Sequence, residues 1–172
     1  MDAWTGRHRN ESFDRDGRWA ASGMAIPGLL ETLLADPYFV RPAPKSTGIE
    51  YFNLAWLDGF RPLRGHSAGD VQATLAELSA RTVAAGVLPC EPEDVLVCGG
   101  GVHNRHLMTR LTEQLPGIPV RSTASSGLDP DWVEAVLFAW LAAERLENRA
   151  LDTSAITGAK RPVFLGVVAQ PG

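Results

Sequence analysis

Apolar positions along this chain alternate between helical spacing and short unbroken runs. Ile26 to Leu34 predicts a short helix with Pro27 in its first turn. Asp36-Pro37 and the prolines at 42 and 44 impose an extended path, and Pro44 to Gly48 reads as a loop. Tyr51 to Leu57 is a short helix or an irregular packing segment. Ser67 and Asp70 stand at capping-box spacing, with Asp in place of the usual Glu, ahead of a helix expected from about Gly69 to Ala85. Its Val71, Leu75, Leu78 and Thr82 share one face. The apolar run within Asp94–Cys98 predicts a buried, often parallel, strand, with Cys98 as a small buried hydrophobe. Asn104 to Leu115 returns to helical spacing, and Ile118 to Arg121 closes a βαβ unit. Asp129 and Pro130 predict a helix start, as cap and first turn, ahead of a stripe at Val133, Leu137, Trp140 and Leu141. Val163 to Val168 predicts a last strand interrupted by Gly166. Helices alternate with strands, so the expected class is α/β.

The ends differ from the middle. Met1 to Trp4 reads as the tail of a helix, and the polar stretch Thr5 to Gly17 holds no first core strand. The expectation is a chain that begins inside a larger architecture.

Composition narrows the partners more than the fold. A length of 172 residues, 45% hydrophobic and 21% charged, suits one soluble domain with a proper core. A net charge of -4 argues against nonspecific binding to nucleic acid or an anionic membrane. Two cysteines exclude a cysteine-rich zinc cluster or a dense disulfide framework. No stretch is long and apolar enough to cross a bilayer, and no signal-peptide core opens the chain, so a cytoplasmic protein is expected.

Candidate chemistry starts at Gly99-Gly100-Gly101, between the predicted strand and Asn104 at the head of a helix. Three glycines bring bare backbone to a helix N-terminus, where unpaired N–H groups and the helix dipole favour an anion. The same turn equally serves to pack a helix closely on a sheet. No Lys-Ser or Lys-Thr pair follows, so any nucleotide here is held by backbone and shape. Asn104 caps the helix or faces a ligand. Lys45, in Lys45-Ser46-Thr47-Gly48, pairs with a substrate anion or is a solvated loop lysine. Glu134, at the rim of the apolar stripe, meets a polar ligand or is simply favoured by the positive helix end. The four histidines form no metal-ligand motif, and no metal ligands are assigned.

Several segments together resemble one family, the anhydro-N-acetylmuramic acid kinases, bacterial cell-wall recycling enzymes of the actin/Hsp70/sugar-kinase superfamily. They are Phe39 to Asn53 (FVRPAPKSTGIEYFN), Asp70 to Ala80 (DVQATLAELSA), Val95 to Arg110 (VLVCGGGVHNRHLMTR), Gly127 to Ala142 (GLDPDWVEAVLFAWLA) and Ile156 to Gly166 (ITGAKRPVFLG). Met1 to Trp4 and Asp16 to Gly23 (DGRWAASG) extend the likeness to the start. The resemblance covers the family's C-terminal half. It implies one domain over residues 1–172: the C-terminal, nucleotide-side lobe of a ribonuclease H-like fold, a mixed sheet flanked by helices. The family's N-terminal phosphate-binding segment and its Asp-Thr-Gly-Pro-Gly-Asn-like segment, with the presumed catalytic base, do not occur in these residues. Ile49 stands where the family usually has Arg, and so does His103.

The implied chemistry uses ATP and Mg²⁺. A base activates water to attack the anomeric carbon of the anhydro amino sugar, while the departing O6 takes the γ-phosphoryl group. Gly99, Gly100, Gly101 and Asn104 then line the nucleotide side, and Glu134, Lys45 and Ser46 are the sugar-side candidates. The chain alone is expected not to turn over. Its partners are the small-molecule substrates and either a second copy or the missing lobe, whose absence exposes apolar surface. The alternatives are a non-catalytic nucleotide- or partner-binding remnant and a different sugar kinase of the superfamily.

Overall fold

A computed structural model describes residues 1–60 and 65–169. Along them run the helices α1 (Asp2–Arg9), α2 (Arg18–Ser22), α3 (Pro27–Leu34), α4 (Leu54–Asp58) and α5 (Ala68–Val87). Strand β1 (Val95–Val97), α6 (Arg105–Gln114), strand β2 (Val120–Ser122), α7 (Val133–Leu146) and α8 (Ser154–Thr157) follow. The class is α/β. β1 and β2 pair in parallel, Val95 with Val120 and Val97 with Ser122, and α6 is the crossover of the expected βαβ unit.

Helix α5 is the wall shared by two cores. Val71, Leu75 and Leu78 pack with Trp4, Leu29, Leu30, Leu33 and Leu57 from α1, α3 and α4. One turn further on, Ala80 and Ala84 meet Val95, Leu111 and Leu115 from β1 and the α6 end. The two small side chains let α6 and the strand approach α5 closely, and Glu77 fastens that approach. Its buried carboxylate accepts from Arg81 Nε at 3.0 Å, Arg110 Nε at 2.6 Å and Gln114 Nε2 at 3.0 Å. Burial opposes its charge, but the hydrogen bonds from Arg110 and Arg81 outweigh burial and hold the Glu77 carboxyl below its ordinary value. At the start of α5 only half the predicted capping box forms. Ser67 Oγ accepts from the Asp70 amide at 3.1 Å, while the Asp70 carboxylate accepts from the Met24 amide at 2.8 Å. The amide is near because Gly23 and Gly69 nearly touch: a Cβ on Gly23 would lie 2.4 Å from the Gly69 carbonyl oxygen.

Four expectations need correcting. β1 is buried on one face only, with Val95 inside and Leu96 42% exposed, because only one side of the two-stranded sheet is covered; Cys98 is exposed too. α7 begins at Val133 rather than at Pro130, and much of its apolar stripe is open to solvent. Leu137 and Trp140 are each about half exposed, and Glu144 is the helix's buried residue. Val163 to Val168 forms no strand: Val163 makes an isolated antiparallel bridge to Leu151. With no further strand beside it among the described residues, the segment has no ladder to join.

Candidate functional site

The chain leaves β1 through Gly99, whose φ of 72° and ψ of -177° belong to a region that side chains essentially forbid. Gly100–His103 then forms a 3-10 turn, and Asn104 caps α6 by accepting from the Leu107 amide at 2.9 Å. A Cβ on Gly99 or Gly100 would meet nothing within 4 Å, so this backbone faces open space. Gly100, Gly101, His103 and Asn104 form one wall of a cavity of about 700 Å³. Met1, Asp2 and the segment from Phe13 to Asp16 form the other, and Leu107 completes the lining.

The opposite wall comes from a tight turn before α2. Asp14 is buried, and its carboxylate accepts from the Trp19 and Ala20 amides at 2.9 and 2.8 Å, which spends it on the start of α2. Asp16 pairs with Arg18 at 2.9 Å. The Arg15 guanidinium stacks 5.5 Å over Phe13. Gly17 (φ 68°) brings this turn against α6, where a Cβ would sit 2.0 Å from Asn104 Oδ1. The contact between Gly17 and Asn104 therefore fixes the spacing of the two walls. The cavity meets the N-terminal end of a ten-residue helix and bare glycine backbone, which favour an anion; Asp2, Asp14 and Asp16 also line it and oppose one, Asp14 being spent on the α2 amides and Asp16 on Arg18.

The other candidates lie apart. Glu134 sits exposed in the first turn of α7, outside the cavity lining, and makes no hydrogen bond among the described residues. It is nevertheless tied to the glycine loop through the preceding turn, since the Gly99 amide donates to the Pro130 carbonyl at 2.8 Å. Lys45 folds back on its own segment. Its ammonium donates to the Phe39 and Tyr38 carbonyls at 2.8 and 3.3 Å and lies 5.2 Å over the Tyr38 ring. Ser46 is exposed on the same loop. That loop is anchored by Asp36, which accepts from the Tyr38 amide, the Tyr51 hydroxyl and the Trp56 indole at 2.8 to 2.9 Å. Burial works against the Asp36 charge, but the Trp56, Tyr38 and Tyr51 donors prevail and hold its carboxyl below the ordinary range. A smaller cavity of about 310 Å³, lined largely by apolar side chains such as Trp4, Phe52 and Trp56, lies on the far side of Met1.

Sequence reasoning missed Gly17, Asp36 and Asp131. Asp16-Gly17 carried a turn signal, but nothing in one dimension says that the turn touches residue 104.

A family model described as anhydro-N-acetylmuramic acid kinase matches residues 1–171. An anhydro-N-acetylmuramic acid kinase of Pseudomonas fluorescens is 51% identical over 171 residues, which cover 98% of this chain and 47% of the relative. One from Xanthomonas oryzae pv. oryzae is 49% identical over 170 residues, covering 98% and 45%. One from Pseudomonas putida is 50% identical over 171 residues, covering 98% and 47%. The chain spans about half the length of the curated relatives it matches. Among the described residues, no helix is long and apolar enough to cross a membrane and no group of three or more ligands is placed to hold a metal ion.

Proposed function

The chain belongs to the anhydro-N-acetylmuramic acid kinase family, and from that premise we propose that its 172 residues form the nucleotide side of an ATP-dependent kinase for an anhydro amino sugar. In this reading they are one domain, the C-terminal lobe of an actin/Hsp70/sugar-kinase fold. The observation that carries it is the open backbone of Gly100, beside Gly101 and capped α6, on a cavity of about 700 Å³, a size common for small-molecule sites.

The residues divide the work. Gly99 gives the loop a path that a side chain would bar, and Gly100 and Gly101 leave room for phosphate oxygens to approach main-chain amides. The α6 N-terminus adds its dipole, and Asn104 keeps that end helical. The Arg15 guanidinium on the facing wall supplies a cation. Mg²⁺, arriving on the phosphates, would neutralise charge on the transferred group and be held mainly by phosphate oxygens. Glu134 is proposed to accept a hydrogen bond from a sugar hydroxyl, with Lys45 and Ser46 shaping the sugar side after Lys45 leaves its two carbonyls. On its own the chain is proposed to bind Mg-ATP without opening the anhydro bridge. The face left exposed on α7 is proposed to meet the rest of a two-lobed enzyme or a second copy.

The test is photolabelling with an azido-substituted ATP, followed by peptide mapping. Label concentrated in residues 99–107 and 13–16, and competed away by ATP, supports the reading. Label scattered over the surface, or insensitive to ATP, overturns it. Sugar phosphate formed by the purified 172-residue chain would refute the inactivity.

A further inference from the structure

A single turn of backbone grips the glycine loop at both ends. At the start of the loop the Gly99 amide donates to the Pro130 carbonyl at 2.8 Å. At its end His103 Nε2 donates to both carboxylate oxygens of Asp131, at 2.9 and 3.0 Å. The gripping turn is itself braced, because Asp129 Oδ1 accepts from the Asp131 amide at 2.9 Å. α7 starts two residues later, and its buried residue, Glu144, lies near the other end of the helix. Core packing therefore contributes little to where the first turn of α7, with Glu134, stands.

We propose that His103 is a positioning residue: through Asp131 it clasps the 129–131 turn to the glycine loop and so sets the first turn of α7 relative to the nucleotide-side backbone. The function served rests on the kinase reading above; the clasp itself rests on the three contacts. A carboxylate only accepts, so the ring nitrogen facing Asp131 carries a proton whether His103 is neutral or charged. An arginine in its place keeps a donor and offers a fork to the same two oxygens. Both partners are more than half exposed, so the pair adds little to global stability. Its leverage is local, because Gly99, Gly100 and Gly101 have no side chains with which to hold the loop in place.

The test is amide hydrogen exchange on the chain, read by mass spectrometry for wild type, His103→Ala, Asp131→Asn and His103→Arg. Peptides over 99–104 and 132–140 report the clasp, and peptides within α5 serve as reference. His103→Ala and Asp131→Asn are expected to exchange about 2- to 5-fold faster in both reporting segments, the range an exposed ion pair supports. His103→Arg should return to the wild-type rate, with α5 unchanged in every variant. Added Mg-ATP should slow exchange in 132–140 for wild type and His103→Arg but not for His103→Ala. Equal rates in wild type and His103→Ala, loosening shared by α5, or Mg-ATP protection of 132–140 that survives His103→Ala would each overturn the clasp. Should Mg-ATP protect nothing in wild type, the nucleotide reading fails, while the ligand-free rates still decide the clasp.

Discussion

Replacing Gly17 by alanine tests how the turn before α2 packs against the cap of α6. Gly17 has a φ of 68°, and an L-residue held there costs about 1–2 kcal/mol. The new Cβ would lie 2.0 Å from Asn104 Oδ1 and 2.9 Å from its Cγ, so the Asn104 side chain must swing away. Swinging away breaks its bond to the Leu107 amide, and losing a helix cap costs about 1 kcal/mol. The lower entropy of the unfolded alanine chain offsets up to about 1 kcal/mol. The 2.7 Å approach to His106 Cβ works the other way, because that atom cannot rotate out of reach. The net expectation for Gly17→Ala is about 2 kcal/mol, or a Tm lower by about 4–8 °C for a chain of this size. The cap is lost in either variant, so Gly17→Ala and Asn104→Ala should not add. A double-mutant cycle by urea denaturation is expected to show a coupling of about 1 kcal/mol, the worth of the shared cap. A Gly17→Ala protein within about 0.5 kcal/mol of wild type, or a strictly additive cycle, would refute the contact and its energetic reading.

Gly99→Ala is expected to cost about 1–3 kcal/mol through backbone strain alone, since its Cβ would meet open space; thermal melts in which Gly100→Ala is nearly silent and Gly99→Ala is not would confirm it. Glu77 carries a pH signature. Its folded-state carboxyl is depressed, so its stabilisation is fully present above the ordinary glutamate value of the unfolded chain and is lost as pH falls through the lower folded value. Glu77→Gln should cost about 2 kcal/mol at neutral pH, and the gap from wild type should narrow in melts taken below about pH 4.5. Val136, Leu137, Phe138 and Trp140 are exposed on one helix, so light scattering should show association that rises with concentration and falls in a Phe138→Ser, Trp140→Ser variant. A clean monomer over a wide concentration range would count against that face as a contact surface.

Local order was legible wherever neighbouring residues decide it. Ser67 and Asn104 are caps because their side chains reach amides three residues on, a distance written into the chain. Val71, Leu75 and Leu78 share a face because the helical period puts them there. The triple glycine announced a loop free of side chains, and the colinear motifs from Phe39 to Gly166 carried the family resemblance. Asp129-Pro130 misled by three residues because Asp129 caps the Asp131 amide in a turn, a local alternative that the same side chain serves equally well.

The amino-acid order alone made α3, α5 and α6 legible, with where the backbone is bare and which family motifs recur, since each depends on residues within a few positions of one another; α2 and α8 carried no such pattern. Tertiary structure alone decided that Gly17 lies under Asn104, that Pro130 and Asp131 hold the two ends of the glycine loop, that Lys45 is turned onto its own carbonyls, and that the α7 stripe faces outward. A hydrophobic period says that a helix has an apolar side but not whether anything covers it; that depends on contacts between residues far apart in the chain.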